Sequence, residues 1–215
     1  MDLAIILVAA GQSTRMGFPK LWADLAGRPV VEHAVAAACK AAPGEIILVV
    51  TPDRVGSLSQ PGVRVVPGGA RRRDSVAAGL EASSAYWLAI HDAARALAPA
   101  DLYARGLAAA QRTGAAIPVL PLKDTIKRIA DGLVVETPSR SEHAVVQTPQ
   151  VFRRDVLLRA LASTEHDVTD EATLVEQVGV AVATFEGDER AFKITTPLDL
   201  VVARTLVSPR PLGEG

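Results

Sequence analysis

The sequence predicts an α/β domain built on a doubly wound, mostly parallel sheet. Continuous apolar runs recur along the chain, segments with helical spacing lie between them, and the two alternate almost throughout. A run that is apolar at every position suits a strand buried on both faces, as in a parallel sheet covered by helices. Open sheets of this kind bind ligands beyond the carboxyl ends of their strands.

The strand-like runs are Leu3 to Ala9, Ile46 to Val50, Tyr86 to Ile90, Ala115 to Leu120 and Val180 to Phe185. Helical spacing covers Val30 to Ala42, Asp74 to Ala82, Leu102 to Thr113, Val156 to Ala162, Glu171 to Gln177 and Leu198 to Leu206. One segment breaks the alternation: between Asp124 and Val146 two short β-prone stretches flank "ADG", a hairpin signal. This predicts a β-arm over about 122–147 that leaves the sheet and carries a dimer contact. Residues 1–207 are expected to form a single domain, and 208–215, with two prolines and two glycines, a disordered tail.

Composition narrows the partners. The 215 residues are 49% hydrophobic and 22% charged, with a formal net charge of −1, so no chain-wide basic field attracts nucleic acid. Any anion must be gripped locally. A lone cysteine, Cys39, allows neither an internal disulfide nor a cysteine-based zinc site, which fits a reducing compartment. The apolar N-terminus lacks a cationic n-region, and no run approaches the ~18 apolar residues of a membrane span. A cytoplasmic protein without membrane contact is expected.

Three segments could do chemistry. "LVAAGQSTRMGFPK", Leu7 to Lys20, follows the first strand. It matches neither a Walker A loop, since Phe18 follows Gly17, nor a G-x-G-x-x-G fingerprint, since position 13 is Ser. It nevertheless carries Arg15 and Lys20 on one short loop, and fixed cations with backbone N–H groups make an anion site. "PGGARRRDSVAAGL", Pro67 to Leu80, has Gly68 and Gly69 where a base or phosphate could approach the backbone, and Arg72 and Ser75 three residues apart. A helix capped by Asp74 or Ser75 beside a solvated arginine cluster explains it equally well. In "WLAIHDAARA", Trp87 to Ala96, a buried strand ends in His91 and Asp92, which puts a carboxylate at the carboxyl edge of the sheet, followed by Arg95. A hard cation such as Mg²⁺ takes carboxylate oxygens and shares them with phosphates.

Downstream lie "KDTIKR" (Lys123 to Arg128), "ETPSR" (Glu136 to Arg140), "QTPQVF" (Gln147 to Phe152), "TDE" (Thr169 to Glu171) and "FKITTPLDL" with Lys193. Taken one at a time, these have plain explanations. Thr169 suits a helix N-cap, and a single lysine before a Pro-initiated helix is ordinarily at the surface.

Taken in order and spacing, the segments resemble the 2-C-methyl-D-erythritol 4-phosphate cytidylyltransferases, over Leu3 to about Val207. H-D-A-A-R, D-T-I-K-R and Q-T-P-Q-x-F carry the specific part of the resemblance, whereas the first loop is shared more loosely with other nucleotidyltransferases. The resemblance implies a Rossmann-like fold of the nucleotide-diphospho-sugar transferase type. It also implies transfer of CMP from CTP to methylerythritol phosphate, with Mg²⁺ or another divalent cation as cofactor and a homodimer whose arm completes the partner's site. It assigns Arg15, Lys20 and Lys193 to catalysis and Ala9, Ala10, Gly11, Gly68, Gly69, Arg72, Ser75 and Asp92 to CTP, with Asp92 also on the metal. Arg95, Thr125, Arg140, Thr148 and Thr169 fall to the acceptor. No general base is required, because an attacking phosphate is already ionised. A sibling enzyme acting on another polyol phosphate, such as ribitol 5-phosphate, would carry the same nucleotide half. A non-catalytic nucleotide binder would be expected to have lost these cations.

Overall fold

The computed structural model describes residues 2–11, 17–164, 168 and 170–207. The first strand, β1 (Leu3–Val8), explains why an unbroken apolar run is needed. Leu3, Ile5 and Leu7 enter one core and Ala4 and Ile6 another, so successive side chains are buried on opposite faces. A short hairpin, β2 (Asp24–Leu25) and β3 (Arg28–Pro29), leads into α1 (Val30–Lys40), whose Val30, Val31, Ala34, Val35 and Ala38 face the first core. Next come β4 (Glu45–Val50), β5 (Val63–Pro67), α2 (Arg72–Glu81), β6 (Trp87–Asp92), α3 (Asp101–Ala110) and β7 (Ala115–Pro121). The arm, β8 (Arg128–Ala130) and β9 (Leu133–Glu136), precedes β10 (Ala144–Val146), β11 (Gln150–Arg153), α4 (Arg154–Ala162), α5 (Glu171–Gln177), β12 (Ala183–Glu186) and α6 (Pro197–Val207).

The main sheet is ordered β10-β7-β11-β6-β1-β4-β5, with β12 paired to β7. Strands β5, β4, β1 and β6 are mutually parallel, while β11 is antiparallel to both β6 and β7. The chain runs from β1 out to β4 and β5 and returns to the other side of β1 for β6. The strand order therefore reverses between β1 and β6, and a crevice opens at that point. Helices cover both faces: α1 and α6 contribute to the first core and α2, α4 and α5 to the second. No helix among the described residues is long and apolar enough to cross a membrane.

The expected fold class and helices are observed within a few residues of their predicted bounds. The arm turns at Asp131 and Gly132, both at positive φ (50° and 77°), with Ala130 paired to Leu133. That two-residue turn matches strand twist and is why Asp-Gly signals it. Three strands of the main sheet have no counterpart among the apolar runs. β5 is an edge strand carrying Arg64, and β10 and β11 flank the Pro149 segment within "QTPQVF". Two capping expectations are corrected. The α2 N-cap is Arg71, with Asp74 at the third helical position accepting from the Arg71 backbone N–H at 3.1 Å. The α5 N-cap is Asp170, whose carboxylate accepts from Thr173 N–H at 3.1 Å. The 208–215 tail lies outside the described residues.

Candidate active site

Register brings the functional segments together. Val8 lies beside both Asp92 and Val49, and Val50 beside Pro67, so the loops after β1, β4, β5 and β6 leave from one edge. A cleft of about 420 Å³ opens there. Ala10 and Gly11 line it from the end of β1, Gly69 to Arg72 and Ser75 from the start of α2, Asp92 from the end of β6, and Lys20 and Lys193 from the flanking loops. A second cleft, also about 420 Å³, is lined by Arg95, Val146, Thr148, Gln150 and Thr173 among others. The two share Arg72, Asp92 and Lys193. Two ligands placed in them would meet across that seam.

Asp92 is 8% exposed and holds a cation on each oxygen: Oδ1 accepts from Arg72 Nη2 at 3.1 Å, and Oδ2 pairs with Lys193 Nζ at 2.7 Å. Burial by itself would raise its pKa, but Arg72 and Lys193 outweigh burial and hold the carboxyl well below the usual carboxylate range. It is ionised across the physiological range. Arg72 turns its Nη1 to Glu171 Oε1, so one guanidinium bridges two carboxylates. Burial works against that charge, yet the attraction of Glu171 and Asp92 wins and the pKa is raised. Burial likewise pushes Glu171 up, against the pull of Arg72.

Behind the seam, His91 is fully buried and its pKa is pushed down to about 4 by burial. Its Nδ1 lies 2.9 Å from Thr148 Oγ1, which itself accepts from Asp92 N–H at 3.1 Å. The Thr148 hydroxyl thus links the imidazole, which burial keeps neutral at physiological pH, to the backbone of Asp92. His91 is part of the packing and hydrogen bonding behind the seam.

The remaining expected residues divide by location. Lys20 opens a 3₁₀ turn (Lys20–Trp22) and lines the first cleft. Ala9 is buried, with its N–H on Val49 O at 2.7 Å. Gly68 is required by protein packing, because a Cβ there would stand 2.7 Å from both Ala10 Cβ and Ser75 Oγ; at Gly69 a Cβ would collide with Asp74. Ser75 is 2% exposed and donates to Arg71 O at 3.2 Å. Arg95 braces the second cleft, donating to Ala191 O at 2.7 Å and Val146 O at 3.4 Å. Thr148 is 4% exposed, its hydroxyl bonded to His91 Nδ1 and to Asp92 N–H. Thr125 and Arg140 are exposed at the base of the arm and line neither cleft; Arg140 donates to Lys123 O at 2.9 Å. Arg15 and Thr169 lie outside the described residues.

Two contributors went unassigned in the sequence. Glu171 stands in the "TDE" segment, and nothing there marked it as the partner of an arginine 99 positions away. Gln147 accepts from Asp188 N–H at 3.0 Å and donates to Asp188 O at 2.9 Å, fixing the loop before Lys193.

The family model described as 2-C-methyl-D-erythritol 4-phosphate cytidylyltransferase matches residues 3–208. Among curated relatives, an enzyme of that name from Rhodococcus jostii is 45% identical over 212 residues, covering 94% of this chain and 93% of its own. One from Streptomyces coelicolor is 38% identical, covering 99% and 87%. Among solved structures, the 2-C-methyl-D-erythritol 4-phosphate cytidylyltransferase of Thermus thermophilus superposes with a TM-score of 0.82 at 37% identity, covering 96% of this chain and 98% of that one. With the motifs of the first loop, α2 and β6 gathered around one seam and a match along nearly its whole length, the chain belongs to the 2-C-methyl-D-erythritol 4-phosphate cytidylyltransferase family.

Proposed function

We propose that this chain transfers CMP from CTP to 2-C-methyl-D-erythritol 4-phosphate, giving 4-diphosphocytidyl-2-C-methyl-D-erythritol and pyrophosphate in isoprenoid precursor synthesis. The observation that carries this reading is the pair of clefts meeting at Asp92, Arg72 and Lys193. An acceptor phosphate oxygen attacks the α-phosphorus of CTP, a P–O bond forms, and the bond to the leaving pyrophosphate breaks. The difficulty is charge, since one anion approaches another already crowded with anionic oxygens. Cations fixed in place before reaction lower that barrier most effectively.

We assign the first cleft to CTP, with Ala10 and Gly11 backbone groups, Lys20 and Arg15 around the phosphates and the Gly68 to Ser75 segment near the base. Lys193 faces the same phosphates from the opposite side. The second cleft takes the acceptor, and Arg95 keeps its wall in place. Asp92 fits a divalent cation that arrives with the nucleotide. It is ionised and at the seam, and no group of three His, Cys, Asp or Glu ligands exists among the described residues, so the other ligands would be phosphate oxygens and water. Such an ion supplies further neutralisation of the triphosphate. Before that, Asp92 holds Lys193 and Arg72 in the cleft, and its release of Lys193 frees a cation for phosphate.

We also infer a homodimer through the arm, because Ile129, Leu133 and Val134 are 64%, 70% and 61% exposed on a hairpin that buries none of its strand residues. Thr125 and Arg140 at its base would then serve the partner's acceptor cleft. The single cysteine is in keeping with a cytoplasmic enzyme. The test is pyrophosphate release from CTP and Mg²⁺ with methylerythritol phosphate or ribitol 5-phosphate as acceptor. Turnover with methylerythritol phosphate is expected, and turnover with ribitol 5-phosphate alone would overturn the acceptor assignment.

A further inference from the structure

Glu171 is the first residue of α5, a place where a carboxylate is ordinarily solvated, yet it is 1% exposed. Its Oε1 accepts from Arg72 Nη1, and its Oε2 has no hydrogen-bond partner among the described residues. A buried carboxylate with one oxygen unsatisfied works against folding. Its benefit lies elsewhere, at the far end of Arg72, where Nη2 reaches Asp92 Oδ1. Asp92 thus has two cations of different freedom. Lys193 comes from a loop and has no other ion-pair partner in the described structure, whereas Arg72 is gripped from behind.

The neighbouring turn reinforces that grip. Arg73 donates to Leu161 O at 3.0 Å and also to Thr164 O, joining the start of α2 to the carboxyl end of α4, the helix that precedes α5. Anionic ligands in the two clefts would draw both cations off Asp92. Lys193 can follow a phosphate, but Arg72 loses its charge partner Glu171 if it moves. The geometry points to Glu171 as a positioning residue for the transfer proposed above: it anchors Arg72 on Asp92, so that the seam keeps one fixed cation while Lys193 moves to the reacting phosphate. The inference rests on the proposed cytidylyl transfer.

The test is a double-mutant cycle of Glu171→Gln and Arg72→Ala, with steady-state rates for CTP and methylerythritol phosphate and thermal midpoints for each variant. Glu171→Gln is expected to lower kcat at least about tenfold while KM for CTP changes less than about threefold and the midpoint shifts by less than about 3 °C. The double variant is expected to be no slower than Arg72→Ala alone, because the carboxylate acts only through the arginine. Glu171→Asp, which keeps the charge on a shorter arm, is expected to recover part of the lost kcat. Wild-type kcat in Glu171→Gln, multiplying losses in the double variant, or no recovery in Glu171→Asp each overturns the inference. If Glu171→Gln does not fold, the cycle is run with Glu171→Asp, and multiplying losses again overturn it. Failure of the wild type to use methylerythritol phosphate would instead overturn the proposed acceptor, and the cycle would be read with the acceptor that turns over.

Discussion

Lys193 Nζ lies 2.7 Å from Asp92 Oδ2, so the cation assigned to the reacting phosphate rests on the carboxylate at the end of β6. A lysine held in this way is already in the cleft and partly desolvated when the nucleotide arrives. Lys193→Ala is expected to lower kcat by about 10²–10³-fold, the range for losing one preorganised charge that stabilises a transition state. Pre-steady-state measurement of pyrophosphate release checks it; a loss confined to KM would place Lys193 in ground-state binding instead.

Lys20 belongs to the same cleft but sits on a short turn outside the sheet. Lys20→Ala is expected to abolish measurable turnover while moving the thermal midpoint by less than about 3 °C, since the buried Leu21 that ties this turn to the core stays in place. Calorimetry beside the pyrophosphate assay separates the two effects, and retention of most activity would remove Lys20 from the mechanism.

Asp92→Asn removes the charge that both Arg72 and Lys193 face. It is expected to reduce kcat/KM by at least about 10²-fold and to raise the Mg²⁺ concentration giving half-maximal rate, because an amide is a poorer ligand for a hard cation. Rates measured across a Mg²⁺ titration, with chelator as the zero point, decide this. An unchanged Mg²⁺ midpoint would exclude Asp92 as a metal ligand.

The arm carries the fourth expectation. If each acceptor cleft borrows Arg140 from the partner, mixing inactive Lys20→Ala and Arg140→Ala proteins produces heterodimers with one intact site. Random exchange gives about a quarter of wild-type activity, since half the dimers are mixed and half their sites are intact. No recovery, with exchange verified by mass spectrometry of tagged subunits, rules out a shared site.

The last concerns the segment that delivers Lys193. The Asp199 carboxylate accepts from Thr195 N–H at 2.8 Å and Thr196 N–H at 2.7 Å, while Thr196 Oγ1 accepts from Asp199 N–H at 3.2 Å. This reciprocal cap fixes the start of α6 just after the lysine. Burial opposes ionisation, but these bonds prevail and the carboxyl titrates below its ordinary range. A depressed carboxyl pKa stabilises the fold above the unfolded value and loses that effect as pH falls through the folded one. Asp199→Ala is therefore expected to lower the melting temperature by about 2–4 °C at neutral pH, with the gap shrinking below about pH 4. Melting curves from pH 7 to pH 3 test it; a constant gap would mean that the loss is packing, not charge.

Much of this molecule is written in local patterns. The unbroken run Leu3 to Val8 could be identified as a strand because both of its faces are buried, and Asp131-Gly132 marked the arm because a two-residue turn needs positive φ at both positions. Helix positions followed from apolar spacing, and the segments holding Lys20, Arg72, Asp92 and Lys193, joined by the resemblance and by no single motif, line one cleft. Strands β10 and β11 escaped because they are short and flank Pro149, and their pairing with β7 and β6 is imposed by the sheet. Tertiary structure alone decided which charges face one another. Arg72 and Glu171 are 99 residues apart, and Asp92 ends β6 while Lys193 lies in the loop before α6. Periodicity reports only on neighbours within a turn or a strand, whereas an ion pair forms wherever folding brings two charges together out of water. The amino-acid sequence alone determined the kind of fold and the segments that carry the cations; the packed sheet decided that Asp92 would hold two of those cations at the meeting point of two clefts.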